Sequence, residues 1–558
     1  MKEYSGNIVD VVSKEIFQGK VFVEDGIIKK IEKCDAQSSK FILPGLVDSH
    51  IHIESSMVTP QRFAEIALQY GVVAVVTDPH EISNVCGEDG FNFMLKDAAL
   101  SPMKIFFGVP SCVPSTSFET SGATLNAETV KKLLKKDRVV CLSEMMNFVG
   151  VLNNDKEVIA KINAAKDVNK PIDGHAPAIS EAQVKQYAAA GISTDHECMT
   201  LGEARTKIKY GMKIQIREGS AAKNLNALAP LFKESPESLM LCSDDFHPDD
   251  LIKGYLFGRV KTLVGEGYDF FDVLRAVTLN PVKHYNLNLG LLQEGDSADF
   301  VIVDDIKNFN ISEVVIDGKT LVKSGKKLFE VTDNKPINNF NCKKIKASDI
   351  EIESQTHEVR VIKVIDKELF TESFTGNVGV KDGKLVSDTK KDILKIVCLN
   401  RYNLNSKPAV GFINGFGLRF GAIGSCVAHD SHNIICVGVD DDSIVNCINR
   451  IISNKGGLAV VTGQNIFDMQ LKIGGIMTDT SCQVAAQKYS SLSTLIKALG
   501  CKLTAPFMTL AFMALPVIPK LKITDKGLFN VNDFQFVDVI DDRSPRGVPF
   551  CKRGPENF

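Results

Sequence analysis

The chain has 558 residues, too many for one hydrophobic core, so we expect roughly two to four domains. Hydrophobic residues make up 44% and charged residues 24% of the sequence, which is typical of a globular protein. The net charge of −3 leaves no basic surplus for a phosphate backbone, so we do not expect a nucleic-acid partner.

The cysteines and the apolar segments indicate the compartment. The 14 cysteines are irregularly spaced and form no Cys-x-x-Cys motif, which is typical of reduced thiols in a cytoplasmic protein. The start of the chain lacks the apolar segment of a secretory signal. The longest apolar stretch, residues 503–519, contains three prolines, which favours a buried core segment over a membrane span.

The sequence pattern of residues 1–44 predicts short β-strands. Residues 21–31 alternate in character around Asp25 and Gly26, and this dipeptide can supply the positive φ angles of a hairpin turn.

From Leu46 to about His284, short apolar runs alternate with helix-length amphipathic segments such as 123–136 and 181–190. The apolar runs are residues 72–77, 105–109, 139–142, 192–194, 213–216 and 239–241. Strand–helix repetition over this length predicts a parallel α/β fold, and a (β/α)8 barrel of the TIM type fits it.

The β character returns after Gly290. Residues 312–322 predict another hairpin, and residues 335–345 form a polar segment that we interpret as a linker. The region 346–558 has its own strand pattern, with a further hairpin at 378–383.

Two histidines, His50 and His52, follow the apolar run that precedes them. Side chains at positions i and i+2 of a strand point to the same face, so the two imidazoles can converge on one metal ion. A His-x-His pair alone fits two structural histidines about as well, so the interpretation depends on what the other strand ends carry.

Four later strand ends also present a histidine or an acidic residue: Glu144, His175, His196 and Asp244. In a (β/α)8 barrel the carboxyl ends of the strands meet at one face, where active sites lie. Such a set suits two divalent ions with a bridging hydroxide, because the metals lower the pKa of bound water. Asp244 can take the proton of this hydroxide and pass it to a leaving group.

These residues resemble the amidohydrolase superfamily. The resemblance rests on the segment 44–52, on His175, His196 and Asp244, and on the segments 278–281 and 290–299. It implies three units: a (β/α)8 barrel at 45–284, a composite β-sandwich domain from 1–44 and 285–335, and a C-terminal α/β domain at 346–558.

One departure narrows the resemblance. Many binuclear members of the superfamily bridge their metals with a carbamylated lysine at the fourth strand, where this chain has Glu144. A glutamate there is similar to the adenine deaminase subgroup, as are the segments 53–56, 78–81, 217–220 and 428–433. The resemblance implies hydrolysis of adenine to hypoxanthine and ammonia by attack of a hydroxide, bound to two metals, at C6. Manganese or iron is favoured, and zinc is the alternative.

The expected site follows from the residues and the resemblance together. The expected metal ligands are His50, His52, Glu144, His175, His196 and Asp244. The expected catalytic residues are Asp244, Glu144 and Glu81. The candidates for substrate binding are His80, Arg217, Glu218, Asp245, His429 and His432. Two residues, Glu81 and Glu218, are alternatives for the proton donor to the ring nitrogen. From the residues alone, the segment 429–432 fits a surface loop as well as a cover of the barrel mouth, and the resemblance favours the cover.

Two alternatives to this function stay open. One is another cyclic amidohydrolase, similar to dihydroorotase or hydantoinase, and the absent bridging lysine argues against it. The other is a non-catalytic protein on the same fold, and the intact ligand series argues against that. We further expect a cytoplasmic homo-oligomer, a dimer by default, that acts on a purine base in purine salvage without a membrane partner.

Overall fold

The computed structural model of the protein describes residues 1–35, 37–220 and 222–541. Within these ranges, no helix is both long enough and apolar enough to cross a bilayer. The 13 cysteines that lie in them are all free thiols, as the sequence predicts, and Cys551 lies outside the described residues.

The secondary structure alternates between β-rich flanks and a long α/β segment. The first flank contains β1 (Lys2–Asp10), β2 (Glu15–Glu24), β3 (Ile27–Lys33) and β4 (Phe41–Pro44). The α/β segment contains β5 (Leu46–His52), α1 (Pro60–Ala67), β6 (Val72–Thr77), α2 (His80–Ala99), β7 (Lys104–Val109), α3 (Ala127–Leu133), β8 (Val139–Met145), α4 (Phe148–Leu152), α5 (Lys156–Lys166), β9 (Ile172–Gly174), α6 (Glu181–Ala189), β10 (Thr194–Asp195), α7 (Leu201–Lys209), β11 (Lys213–Arg217), α8 (Leu225–Leu228), β12 (Leu239–Cys242), β13 (Asp244–Asp245), α9 (Pro248–Leu251), α10 (Leu256–Gly265), α11 (Phe270–Arg275) and α12 (Leu279–Tyr285).

The rest of the chain is again rich in strands. The second flank contains β14 (Phe300–Val303), β15 (Ile311–Ile316), β16 (Lys319–Lys323) and β17 (Lys326–Lys327). The C-terminal region contains β18 (Glu358–Val364), β19 (Thr371–Asn377), β20 (Gly379–Lys381), β21 (Lys384–Val386), β22 (Ile393–Leu399), β23 (Ala409–Asn414), β24 (Ala422–Ser425), β25 (Ile434–Gly438), α13 (Asp441–Asn454), β26 (Leu458–Thr462), β27 (Asn465–Met469), α14 (Cys482–Ala498), α15 (Pro506–Phe512), β28 (Leu521–Thr524), β29 (Gly527–Asn530) and β30 (Gln535–Val537). Short 3₁₀ turns lie at Ile53–Ser56, Leu68–Tyr70, Ala229–Lys233, Pro236–Ser238 and Ala347–Asp349.

The α/β segment forms the predicted (β/α)8 barrel. Strands β13, β5, β6, β7, β8 and β9 pair in parallel in this order, and β10, β11 and β12 form a second parallel ladder. An isolated bridge between Ile172 and Ile192 joins the two ladders, and only Ser243 separates β12 from β13. Parallel strands covered by helices are buried on both faces, which explains why β6 is apolar nearly throughout and fully buried.

The two flanks of the barrel share one sheet. Strand β4 pairs with β1 on one side and with β14 on the other, so an eight-stranded sheet runs β17-β16-β15-β14-β4-β1-β2-β3. The turns at Asp25–Gly26 and at Asp317–Gly318 connect hairpins of this sheet, as predicted. The unit boundaries at 44, 285, 335 and 346 remain predictions.

The C-terminal region is built on a second eight-stranded sheet, in the order β19-β18-β23-β22-β25-β24-β26-β27. It packs directly against the barrel, because Thr478 donates its backbone N–H to the carbonyl of Met57 and pairs with Val58 in a β-bridge. Helix α15, which lies within the proline-broken segment 503–519, is buried along its whole length, so the prediction of a core segment is confirmed.

One glycine fixes how closely the first two barrel strands approach. A Cβ on Gly45, directly before β5, would lie 2.2 Å from Cγ2 of Val73 on β6. Gly45 is therefore required for the close packing that sets the position of the histidines further along β5.

We predict that Gly45→Ala destabilises the fold by ~1–3 kcal/mol, because the added methyl group overpacks this contact. Gly265→Ala is the matched control, since a Cβ at that helical position would meet no atom within 4 Å. Chemical unfolding followed by far-ultraviolet circular dichroism measures both midpoints. Equal midpoints for the two variants would contradict the prediction.

Candidate active site

His50 and His52 lie at the carboxyl end of β5. Both side chains are buried, and their ring centroids are 4.8 Å apart. The buried Asp48 fixes this strand end, because it accepts hydrogen bonds from the backbone N–H of His50 (3.2 Å) and the hydroxyl of Tyr255 (2.6 Å). The Nδ1 of His52 lies 3.0 Å from the carbonyl of Asp78, an arrangement that leaves Nε2 free to act as a ligand.

Glu144, at the end of β8, lies between two pairs of histidines. Its Oε1 is 3.4 Å from Nε2 of His52 and 3.3 Å from Nδ1 of His80. Its Oε2 is 2.8 Å from Nδ1 of His175 and 3.1 Å from Nε2 of His196. Burial alone would raise the pKa of Glu144, but the hydrogen bond and the charge of His175 outweigh it and hold the pKa well below the usual value. The two carboxylate oxygens therefore face different donor sets.

Asp244, at the start of β13, is oriented by an arginine. Its Oδ1 lies 3.2 Å from Nε2 of His52 and 3.8 Å from Nε2 of His50, while its Oδ2 accepts a hydrogen bond from Nη1 of Arg217 (2.7 Å). Arg217 also binds Glu197. Burial would raise the pKa of Asp244, but the His52 hydrogen bond and the Arg217 charge hold it well below the usual value. One oxygen of Asp244 thus faces His50 and His52, and the other is hydrogen-bonded to Arg217.

The donor set fits a divalent cation. Nε2 of the buried His50 has no hydrogen-bond partner among the described residues, although it lies beside His196 and Asp244. Potential ligand atoms of these three residues lie within 4.8 Å of one another, and so do those of Glu144, His175 and His196. Buried polar atoms are normally satisfied, so an unpartnered imidazole nitrogen that faces other ligand atoms indicates a cation site.

Glu81, in the first turn of α2, contacts the C-terminal region. Its Oε1 is 2.6 Å from Nδ1 of His429 and 3.4 Å from Nε2 of His80, and its Oε2 contacts Nε2 of His432. All four side chains are buried. The segment that contains His429 and His432 therefore lies on the barrel face that holds the candidate ligands.

Two further substrate-binding candidates lie at different distances from this cluster. Asp245 accepts a hydrogen bond from Ser55 (2.5 Å), and one of its oxygens lies within 4.8 Å of ligand atoms of the cluster. Glu218 is paired instead with Lys223 (3.5 Å) and lines a surface cavity of about 400 Å³ together with Arg259.

Most of the predicted site residues come together at one face. The structure groups His50, His52, His80, Glu81, Glu144, His175, His196, Arg217, Asp244, Asp245, His429 and His432. Glu218 is not part of this group. Their individual roles remain predictions.

Several buried acidic residues near the site were not predicted from the sequence. Asp430 lies between the two candidate histidines of its segment, and its Oδ1 is 3.9 Å from Nε2 of His80. Glu197 follows His196 directly and pairs with Arg217. For Asp430, its place between two histidines was an available signal.

Glu119 had no comparable signal. It lies between β7 and α3, in a segment whose helix begins only at Ala127, although helical character is predicted from residue 123. Its side chain is buried, and its Oε1 accepts a hydrogen bond from Ser115 (2.7 Å).

Comparisons with known proteins show the family of this chain. Residues 41–321 match the amidohydrolase family, and residues 368–535 match the adenine deaminase C-terminal domain. An adenine deaminase of Methanosarcina mazei is 48% identical over 555 residues, which cover 97% of this chain and 100% of that protein. An adenine deaminase of Borreliella burgdorferi is 46% identical over 539 residues, which cover 95% of this chain and 98% of that protein. The chain therefore belongs to the adenine deaminase family of the amidohydrolases.

Proposed function

We propose that this protein hydrolyses adenine to hypoxanthine and ammonia. The observation that carries the proposal is Glu144, which faces two pairs of histidines at the strand end where a bridging lysine is common in the superfamily. The relatives of similar length are adenine deaminases, which supports the same substrate.

The proposed metal site comprises six residues. His50, His52, Glu144, His175, His196 and Asp244 would hold two divalent cations, with manganese or iron favoured and zinc possible. When bound, the cations would lower the pKa of water and so make it a nucleophile near neutral pH.

Asp244 serves as the base that moves a proton to the leaving amine. Its pKa lies well below the usual value, so it is an ionised acceptor at neutral pH. Arg217 restrains one oxygen and leaves the other on the side of His52. After attack at C6, the hydroxyl proton passes through Asp244 to the amino group, which leaves as ammonia while the C6 carbonyl forms.

Glu81 serves as the proton donor to the ring nitrogen. It is ionised at rest, because the charges of His429, His432 and His80 outweigh burial and hold its pKa well below the usual value. Glu81 must therefore first take a proton from the attacking water. It then delivers this proton to the ring nitrogen next to C6. Burial lowers the pKa of His429, but the charge of Glu81 outweighs this effect and the pKa rises to about 9. His429 can therefore be protonated and stabilise the Glu81 carboxylate. Glu218, which pairs with Lys223 at a surface cavity, is less suited to this role.

The location, the assembly and the metabolic role of the protein are part of the same proposal. The protein would act in the cytoplasm as a homo-oligomer, with a free purine base as its substrate in purine salvage. A dihydroorotase-like or hydantoinase-like activity is disfavoured by the absent bridging lysine. A non-catalytic role is disfavoured because the whole ligand series is present and converges.

The first test is an assay of ammonia release from adenine by the manganese-loaded protein. We expect ammonia and hypoxanthine in equal amounts, loss of activity after treatment with a chelator, and recovery when manganese is restored. Adenosine, cytosine and dihydroorotate complete the substrate panel. Full activity of the stripped protein, or faster turnover of dihydroorotate than of adenine, would contradict the proposal.

The second test concerns the ligand role of Glu144. We expect Glu144→Gln to weaken metal binding at least about tenfold, because even the groups that merely orient metal ligands are worth ~10–100-fold. Elemental analysis after dialysis against limiting manganese measures the bound metal. Glu218→Gln is the control and should retain the metal of the unaltered protein. If the two variants retained equal metal, Glu144 would not be a ligand.

The third test separates the two candidates for the proton donor. We expect Glu81→Gln to lower kcat for adenine by ~10²–10⁴, the usual contribution of general acid–base catalysis, without loss of bound metal. Glu218→Gln should keep kcat within about twofold. The opposite ranking of the two variants would assign the proton transfer to Glu218.

A further inference from the structure

Two buried carboxyl groups outside the proposed ligand set each keep one oxygen without a partner. Glu119 is 4% exposed and Asp430 is 3% exposed. Among the described residues, no hydrogen bond is formed to Oδ2 of Asp430 or to Oε2 of Glu119, and the hydroxyl of Ser431 lies close to the Glu119 carboxyl. Buried carboxyl oxygens are normally satisfied, so a pair of unpartnered oxygens indicates a place for a ligand that donates hydrogen bonds.

The pair lies beside the catalytic groups. Oδ1 of Asp430 is 3.9 Å from Nε2 of His80, whose other nitrogen is 3.3 Å from Oε1 of Glu144. Glu119 lies near the same segment, because the hydroxyl of Ser431, the residue after Asp430, is close to its carboxyl; burial first and then the charge of Asp430 raise the pKa of Glu119 to about 8. A ligand whose reacting atom lies at Glu144 would therefore extend past His80 toward these two carboxyls.

The segment that contains Glu119 is held in place by the C-terminal region. Asn433 donates to the carbonyl of Thr120 (2.9 Å), and the backbone N–H of Thr120 donates to Asp525 (2.9 Å). The ring of Phe118 packs on that of Phe529, with centroids 4.5 Å apart. These contacts fix the residues on either side of Glu119, so the fold itself keeps the Glu119 side chain buried.

The chemistry of the ligand follows from the proposed function, on which this inference rests. Free adenine has two kinds of N–H donor, the 6-amino group and the N–H of its imidazole ring. The 6-amino group leaves from the carbon that reacts, so it must lie at the metal ligands. The donor that remains for Asp430 is the imidazole N–H.

We infer that Asp430, supported by Glu119, accepts a hydrogen bond from the imidazole N–H of the free purine base and thereby selects bases over nucleosides. In a nucleoside, N9 has the sugar in place of the hydrogen, so the donor is lost and the buried Oδ2 of Asp430 stays unsatisfied. A site built to bind an N–H group rejects an analogue that lacks it by ~10⁴–10⁵.

The experiment compares adenine with 9-methyladenine as substrates of the manganese-loaded full chain. For the unaltered protein we expect kcat/KM to favour adenine by at least about a thousandfold. In Asp430→Ala we expect kcat/KM for adenine to fall at least tenfold, mainly through KM, while that for 9-methyladenine is unchanged or rises. Glu119→Gln should reduce the preference in the same direction. Asp442→Ala, at an exposed aspartate of the same region, is the control and should preserve the ratio.

The outcomes separate this inference from the function on which it rests. If the unaltered protein is inactive on adenine, the proposed function fails and the inference with it. If it is active on adenine but shows no preference over 9-methyladenine, the inference alone fails, whether or not the variants fold. If Asp430→Ala lowers kcat/KM equally for adenine and for 9-methyladenine, Asp430 has a structural role and the inference is overturned.

Discussion

A buried carboxylate surrounded by imidazoles is the interaction on which the rest of the site depends. Glu144 has nearly no exposed surface, so its charge cannot be stabilised by water. Its stabilisation comes from four histidines on other parts of the barrel, two at each oxygen: His52, His80, His175 and His196. Such an arrangement requires the carboxyl ends of several strands to meet at one point, which a closed parallel barrel provides.

The same constraint explains why the C-terminal region packs on the barrel. Glu81 lies at the mouth of the barrel and is as buried as Glu144, yet among the barrel residues described only His80 contacts its carboxylate. The other two partners, His429 and His432, come from the C-terminal region. Removing one partner of a buried charge is costly, so separating the two regions would leave Glu81 uncompensated. The contact therefore couples the packing of the two regions to the electrostatics of the site.

Much of this could be predicted from the sequence, because local rules govern it. The i and i+2 spacing places His50 and His52 on one face of β5, and the strand periodicity places Glu144, His175 and Asp244 at strand ends. The turn dipeptides predicted the hairpins of the flanking sheet for the same reason.

What the sequence could not show depends on contacts between distant residues. The pairing of Arg217 with Asp244 and Glu197 joins three separate strand ends, and no spacing rule encodes it. Glu119 lies in an irregular segment whose course is set by Thr120, Asn433 and the C-terminal region. Glu218 is a different case, because it directly follows Arg217 and the alternation of side chains along an extended segment, a local rule, could have placed it away from the site.

The glutamate at the end of β8 also has a chemical consequence. A carbamylated lysine must be modified before it can bridge two metals, whereas Glu144 has its charge as soon as the chain folds. The protein's own contacts also position the ligands, since Arg217 restrains one oxygen of Asp244 and the carbonyl of Asp78 orients His52. A site whose ligands are fixed by other residues loses little freedom when the cation enters, and its base needs no rearrangement to reach the substrate. Buried charged residues that restrain one another can provide this preorganisation, whereas a flexible surface site cannot.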